Sequence, residues 1–166
     1  MQPRILYVIG SMQVGGAETQ LLNLATQMIA GGAACVVFAM DATGPLAEEF
    51  RRRHVEVIDG GHRPGKAHLL IRCFFRLQRQ MFTNKPSVVH GMLPLANFFA
   101  ALTATIARVP LRLSARRSLG LYQDETIIWR LIDPISSACS DLVLVNSNAV
   151  REDAKRRDSI PELRWS

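Results

Sequence analysis

The stretch I-L-Y-V-I-G-S-M-Q-V-G-G-A-E-T-Q-L-L-N-L, from Ile5 to Leu24, decides the fold because it predicts a strand, a glycine loop and a helix in succession. Residues 5–9 form an uninterrupted apolar run with β-branched members, typical of a strand covered on both faces, and Gly10 is expected to end it. The helix is indicated by apolar residues at helical spacing, namely Ala17, Leu21, Leu24, Ala25 and Met28. Gly31 and Gly32 follow as a stop signal.

The paired glycines Gly15 and Gly16 stand immediately before the first predicted helical turn. Backbone N–H groups at the start of a helix have no acceptors within the helix and lie at the positive end of its dipole. Because neither glycine has a side chain, an anion can approach this backbone closely, so the loop predicts phosphate binding. The alternative is that the glycines only make a tight turn. The G-x-G-x-x-G dinucleotide fingerprint is absent, which disfavours Asp41 as a ribose-binding acid.

The composition is that of a globular protein of one domain. The chain has 166 residues, of which 48% are apolar and 20% charged, and this balance argues against disorder. The net charge of +6 and the pI near 9.9 favour an anionic partner. No helix-turn-helix, zinc or aromatic RNA-binding signature accompanies this charge, so nucleic acid is not predicted as a partner. Diphosphates and anionic lipid headgroups remain as candidates.

Cysteine usage and the lack of an apparent secretory signal predict a cytoplasmic protein. Cys35, Cys73 and Cys139 are an odd number in apolar surroundings without metal-ligand spacing, so we expect reduced core cysteines and no metal. The longest uncharged run, residues 91–107, contains Pro94 and is shorter than the ~20 residues that a membrane-spanning helix needs.

The rest of the chain alternates between predicted strands and helices. Further strands are expected at residues 34–40, 55–58, 86–91, 110–115 and 141–146, separated by helices at residues 46–53, 66–84, 95–108 and 127–135. Ser147 is the expected N-cap of a last helix. This alternation predicts an α/β fold, a doubly wound parallel sheet of about six strands with helices on both faces.

Two kinds of basic side chain are expected at the carboxyl ends of the strands, the edge of such a sheet where ligands collect. His90 lies near the end of the fourth predicted strand, and the pair Arg116 and Arg117 follows the fifth. Arginine binds phosphate or carboxylate in a bidentate manner, so the pair is a candidate anion site. For His90 two interpretations stay open, a ligand-binding group or a hydrogen-bonded strand cap.

The predicted helix at residues 66–84 carries a basic stripe made of Arg72, Arg76 and Arg79. Three apolar residues lie outside the core stripe of this helix: Ile71, Phe75 and Phe82. The helix either covers the sheet with solvated arginines, its extra apolar residues absorbed by a neighbouring helix, or lies on an anionic bilayer. The first interpretation is favoured because a neighbouring helix is expected at residues 95–108.

Four segments carry a resemblance to a known family. They are G-G-A-E at residues 15–18, V-V-H-G at 88–91, L-S-A-R-R-S-L at 113–119 and D-L-V-L-V-N-S at 141–147. In this order they resemble the N-terminal, acceptor-side domain of family 4 glycosyltransferases of the GT-B type, particularly bacterial enzymes that build exopolysaccharide, O-antigen or related glycans. Members often carry a second histidine where this chain has Met92.

The resemblance implies transfer of a sugar from a nucleotide-sugar to a glycan or lipid-linked acceptor, with retention of anomeric configuration and no required metal or cofactor. It implies that Gly15 and Gly16 face the donor diphosphate and that His90 and Arg117 are catalytic residues on the acceptor side. Four other residues of the matching segments are candidates for the acceptor site or the cleft: Glu18, Arg116, Asn146 and Ser147.

Members of this family continue into a second Rossmann-like domain that holds most of the sugar nucleotide. Residues 1–166 are therefore expected to form one Rossmann-like domain, truncated before the C-terminal, donor-binding domain and inactive alone. The alternative is a stand-alone Rossmann-like nucleotide-binding or scaffold module without transferase activity. The expected location is cytoplasmic, at the inner face of the cell membrane if the basic helix contacts lipid.

Overall fold

The computed structural model describes residues 2–124 and 127–158, in which six strands alternate with six α-helices. The strands are β1 Arg4–Ser11, β2 Ala34–Asp41, β3 Glu56–Asp59, β4 Val88–Met92, β5 Leu111–Arg116 and β6 Leu142–Val145. The helices are α1 Gly16–Ala30, α2 Leu46–Arg52, α3 His68–Asn84, α4 Pro94–Ile106, α5 Ile127–Ala138 and α6 Asn148–Asp158. None of the helices in these ranges is long and apolar enough to cross a bilayer.

All strands pair in parallel, in the order β3-β2-β1-β4-β5-β6. From β1 the chain adds β2 and β3 toward one edge of the sheet, and it then adds β4, β5 and β6 toward the other edge. The junction between β1 and β4 is therefore the topological switch point. Right-handed crossovers place α1 and α2 on one face and α3, α4 and α5 on the other. Alternate residues of β1 confirm this, since Tyr7 packs in the cluster with α1 and α2, and Leu6 in the cluster with α3 and α4. The predicted fold class is confirmed.

One expectation about the first strand is wrong in detail. Gly10 does not end β1, because pairing with β2 continues to Ser11, which lies opposite Asp41. The predicted helix is present as α1, and its buried face centres on Leu21 and Leu22, with Met28 at the margin.

Two glycines allow backbone segments to approach each other beside the carboxyl edge. A Cβ atom on Gly44 would overlap the carbonyl group of Met12, and the same carbonyl accepts a hydrogen bond from the Leu46 N–H at 3.0 Å. A Cβ atom on Gly91 would lie 2.7 Å from the Cα of Asn97 in α4. The start of α2 therefore supports the glycine loop, and α4 packs directly on β4.

Helix α5 buries polar residues and exposes aliphatic ones. Its buried residues are Asp133, Ser136 and Ser137, whereas its exposed residues include Ile127, Ile128, Leu131 and Ile135. The inversion follows from Arg116, which is buried beneath α5 and takes Asp133 as its ion-pair partner.

Helix α3 exposes its extra apolar residues, so the expectation that a neighbouring helix absorbs them is wrong. Ile71, Phe75 and Phe82 are all more than half exposed. The reason is geometric: α4 packs against α3 on its Phe74 side, where Phe74 and Phe99 meet edge to face, and leaves the adjoining strip uncovered.

Candidate functional site

The start of α1 forms one part of the candidate site. Gly15 is its N-cap in an extended conformation, with φ −157° and ψ 169°, and no side chain caps this helix end. A Cβ atom placed on Gly16 has no described atom within 4 Å, so the space above its backbone is open. The helix therefore starts without a side-chain cap, next to open space beside Gly16 and at the positive end of the helix dipole.

The Glu18 carboxylate occupies the space above the other glycine. Glu18 is only 7% exposed, and a Cβ atom on Gly15 would overlap its Oε2. A carboxylate in the first turn of a helix is stabilised by the helix dipole. The two glycines thus differ: Gly15 makes room for Glu18, and Gly16 leaves room for a ligand.

His90 forms a second part of the site. The side chain is 6% exposed, and its Nε2 has no hydrogen-bond partner within the described part of the chain. β4 continues to Met92, so His90 lies in the middle of the strand and not at its end. Its ring centroid is 5.7 Å from that of Tyr7. His90 borders a cavity of about 170 Å³ that is also lined by Gln20, Leu24, Arg117 and Asn146.

The environment of His90 keeps its imidazole neutral. Burial, and then the charge of Arg117, lower the pKa of His90 to about 4. At neutral pH the ring can therefore accept one hydrogen bond and donate another. Such a group suits a hydroxyl of a bound ligand.

Arg117 lines the same cavity with an uncommitted charge. Its guanidinium has no ion pair or hydrogen bond within residues 2–124 and 127–158. Its backbone carbonyl accepts a hydrogen bond from Asn146 Nδ2 at 2.9 Å, which joins the ends of β5 and β6. Arg117 can thus offer its charge to an anionic ligand, and Asn146 holds the backbone that carries it.

Arg116 lies on the opposite face, so the expected pair of arginines does not form a joint anion site. Neighbouring residues of a strand point to opposite faces, and the Arg116 side chain lies beneath α5, 5% exposed. It forms an ion pair with Asp133 and donates a hydrogen bond to Ser137 Oγ at 3.1 Å. Gln123 Nε2 also donates to Asp133, at 2.7 Å. These contacts give Arg116 a structural role.

Ser147 is the N-cap of α6, as predicted. Its Oγ accepts a hydrogen bond from the Val150 N–H at 3.3 Å. The residue follows β6 at the carboxyl edge but does not line the cavity beside His90. The structure therefore brings together His90, Arg117 and Asn146, and places the glycine loop and Ser147 along the same edge.

Sequence reasoning missed Gln20 and Leu24, which line the cavity from α1. They lie one turn apart on one helix face, but a glutamine and a leucine give no chemical signal, and only the packing of α1 beside β4 reveals them.

Sequence reasoning also missed Arg63, which forms ion pairs with Asp41 at 3.3 Å and with Asp59 at 2.8 Å. The hydrogen bonds from Arg63 lower the pKa of Asp59 to about 2. The Asp41 carboxylate, at the end of β2, is thus already paired with Arg63.

The described residues contain no group of three His, Cys, Asp or Glu side chains placed to hold a metal ion. Cys35 and Cys73 are buried as expected, whereas Cys139 is half-buried, and all three are free thiols. Among the described residues, the site therefore combines backbone amides, the imidazole of His90, the guanidinium of Arg117 and the carboxylate of Glu18 with uncharged side chains.

The fold is a Rossmann-like domain, and the start of α1 at its carboxyl edge has no side-chain cap. The family model of glycosyltransferase family 4 matches residues 14–165. The chain therefore belongs to glycosyltransferase family 4, which confirms the predicted resemblance. No curated protein matches the chain.

Solved structures share the fold at low sequence identity. HepE of Anabaena, crystallised with UDP-glucose, has a TM-score of 0.77 and 16% identity over 98% of this chain and 42% of its own. The lipopolysaccharide outer core galactosyltransferase WaaB has a TM-score of 0.74 and 14% identity, over 98% of this chain and 44% of its own. A UDP-N-acetylglucosamine 2-epimerase described as putative, from Listeria monocytogenes, has a TM-score of 0.74 and 9% identity, over 99% of this chain and 44% of its own. The chain spans less than half the length of each of these proteins.

Proposed function

We propose that this chain is the N-terminal, acceptor-side domain of a retaining glycosyltransferase of polysaccharide biosynthesis. The enzyme would move a sugar from a nucleotide-sugar to a glycan or a lipid-linked acceptor. The observation that carries the proposal is the uncapped start of α1, whose open backbone at Gly16 lies at the carboxyl edge of the sheet, beside the strands that carry the cavity lined by His90 and Arg117. The UDP-glucose bound to HepE and the galactosyltransferase activity in the name of WaaB support a nucleotide-sugar as donor.

Each part of the site has a role in this proposal. The N–H groups at Gly16 would stabilise the charge that develops on the leaving diphosphate. The neutral imidazole of His90 would bind a sugar hydroxyl, and Arg117 would bind an anionic group of either substrate. No metal or cofactor is part of the proposed transfer, and the protein would act in the cytoplasm.

The proposal assigns most of the donor site to a second domain. Catalysis in a cleft depends on holding both substrates together and excluding water, and one wall alone does neither well. A few backbone contacts at Gly16 are expected to give only millimolar affinity, which corresponds to about 4 kcal/mol of binding free energy.

Titration calorimetry of the isolated chain with UDP-glucose, together with an assay for sugar transfer, tests this division. We expect saturable binding in the millimolar range and no transfer. A dissociation constant in the low micromolar range would place the donor site in this chain and contradict the proposal. Complete absence of binding at about 10 mM would favour a scaffold module, the alternative function.

We further propose that α3 contacts an anionic membrane peripherally. The specific observation is the strip Ile71, Phe75 and Phe82, which is exposed to solvent beside the exposed Arg72, Arg76 and Arg79. An apolar strip flanked by cations is the arrangement of helices that lie in a membrane interface. The surface would bring the domain to a lipid-linked acceptor.

Sedimentation with phosphatidylglycerol vesicles tests the membrane contact. Binding at low salt is expected to weaken as salt rises, because charge attraction is screened over ~10 Å at 0.1 M. Phe75→Gln should weaken it further, whereas Met28→Gln on α1, across the sheet, should not. Equal binding of the two variants would exclude α3 as the contact surface.

A further inference from the structure

A cavity of about 420 Å³ lies at the amino-terminal edge of the sheet, on the side away from the candidate site. We call it the distal pocket, and it is lined by Met81, Phe82, Lys85, Pro86, Ser87, Ala107, Arg108, Val109 and Pro110. The pocket is formed where α3 and α4 end and where β4 and β5 begin. Its volume lies within the range of roughly 300–1,000 Å³ that small-ligand sites occupy.

Two cations stand at the rim of the distal pocket in an uncommon backbone conformation. Lys85 and Arg108 follow the ends of α3 and α4 with φ of 43° and 55°, in the left-handed region where glycine or asparagine usually closes a helix. Both side chains are exposed, and neither has a carboxylate partner in the described ranges 2–124 and 127–158. The negative end of a helix dipole favours a cation but does not neutralise it. The rim therefore presents two free positive charges.

The wall beneath these charges is apolar. Met81 and Val109 are buried, Pro86 and Pro110 flank them, and the Phe82 ring is 56% exposed. Phe82 also ends the exposed apolar strip on α3, so the distal pocket and the strip form one continuous surface. The apolar wall and the cationic rim are together complementary to a ligand that has an anionic head and an apolar tail.

We propose that the distal pocket binds the headgroup of an anionic phospholipid, with the phosphate between Lys85 and Arg108 and the lipid's apolar part against Phe82. Charge complementarity selects the anion, and continuity with the α3 strip selects a lipid within a bilayer rather than free phosphate. The proposal rests on the proposed membrane contact and adds a specific headgroup site to it.

The test compares two double variants of the full chain that lose the same charge. Lys85→Gln with Arg108→Gln removes the rim cations, and Arg72→Gln with Arg79→Gln removes two exposed cations of α3 beside the apolar strip. In sedimentation with phosphatidylglycerol vesicles, we expect the first double variant to lose about threefold more affinity than the second, because a headgroup site depends on its own two cations, whereas a general contact loses similar attraction from any two cations on the same surface. Equal losses would overturn the headgroup site and leave the general membrane contact standing.

A second measurement does not depend on vesicle binding. Titration of the isotope-labelled chain with monomeric dihexanoyl phosphatidylglycerol should shift the amide signals of Lys85 and Arg108 in a saturable manner. Inorganic phosphate at the same concentration should shift them far less. Absence of shifts with the lipid overturns the pocket, and equal affinity for phosphate makes it a site for the free anion. Shifts with the lipid combined with no vesicle sedimentation would overturn only the membrane contact of α3.

Discussion

Because His90 is neutral in the folded chain, this one residue makes the stability of the domain depend on pH. The pKa of His90 lies at about 4 in the folded chain, below the unperturbed 6.5, so the unfolded chain binds a proton more readily. The neutral ring contributes fully to the free energy of unfolding above pH 6.5. About 3 kcal/mol of that free energy is lost as the pH falls from 6.5 to 4. Urea unfolding of the wild type and of His90→Gln at pH 7 and pH 4.5 should show a smaller loss in the variant. An equal loss in both would contradict a buried neutral imidazole.

The charge of Arg117 is expected to act on His90 directly. Arg117→Met should raise the pKa of His90, but not to the unperturbed value, because burial is the larger cause of the shift. NMR titration of the imidazole signals measures the change, with Arg51→Met on α2 as the control for net charge. An unchanged pKa would mean that the guanidinium does not face the imidazole in solution.

The difference between the open Gly16 and the far end of the same helix allows a matched test of the anion site. Gly16→Val should abolish the amide shifts that UDP-glucose causes at the start of α1, because a side chain there fills the open space. Gly31→Val, at the C-cap, should leave them intact, since a Cβ atom there makes only ordinary contacts at 3.5 Å. In a two-domain enzyme, Gly16→Val should lower activity more than tenfold, or about 1.4 kcal/mol. Wild-type shifts in Gly16→Val would remove the loop from donor binding.

At the scale of elements, the buried ion pair between β5 and α5 joins the edge of the sheet to its covering helix. Asp133→Asn should lower the free energy of unfolding by about 3 kcal/mol, because it removes the carboxylate charge paired with the buried Arg116 guanidinium. Glu48→Gln removes a partner of exposed pairs on α2 and should cost less than about 1 kcal/mol. Chemical unfolding at neutral pH compares them. Equal small losses would show that α5 does not depend on this pair.

At the scale of the whole molecule, the exposed aliphatic face of α5 is the feature that most affects behaviour in solution. Four aliphatic residues of this face are exposed, and apolar patches of this kind on a monomer commonly mark contact surfaces. We therefore predict that the isolated chain self-associates and that Leu131→Glu with Ile128→Lys, which keeps the net charge, makes it monomeric. Sedimentation velocity over a range of concentrations measures this. A monomeric wild type at about 100 μM would contradict the expectation.

Local patterns in the chain were sufficient for the architecture and for part of the site. Apolar runs, glycine stops and helical spacing report on backbone conformation within a few residues, so the six strands, their helices and the glycine start of α1 could be predicted. The position of Arg117 at the ligand edge followed from the same patterns, because the carboxyl ends of parallel strands share one edge, whereas His90, predicted at the end of β4, lies in its middle.

Contacts between distant segments decided the rest. Arg116 and Arg117 are adjacent in the chain, but strand geometry and Asp133 in α5 turned one inward and left the other beside His90. Glu18 folded over Gly15, Gln20 and Leu24 became cavity walls, and the strip on α3 stayed exposed because α4 packed on its other side. The spacing of residues defines which side chains share a face of an element, whereas only packing determines what that face meets.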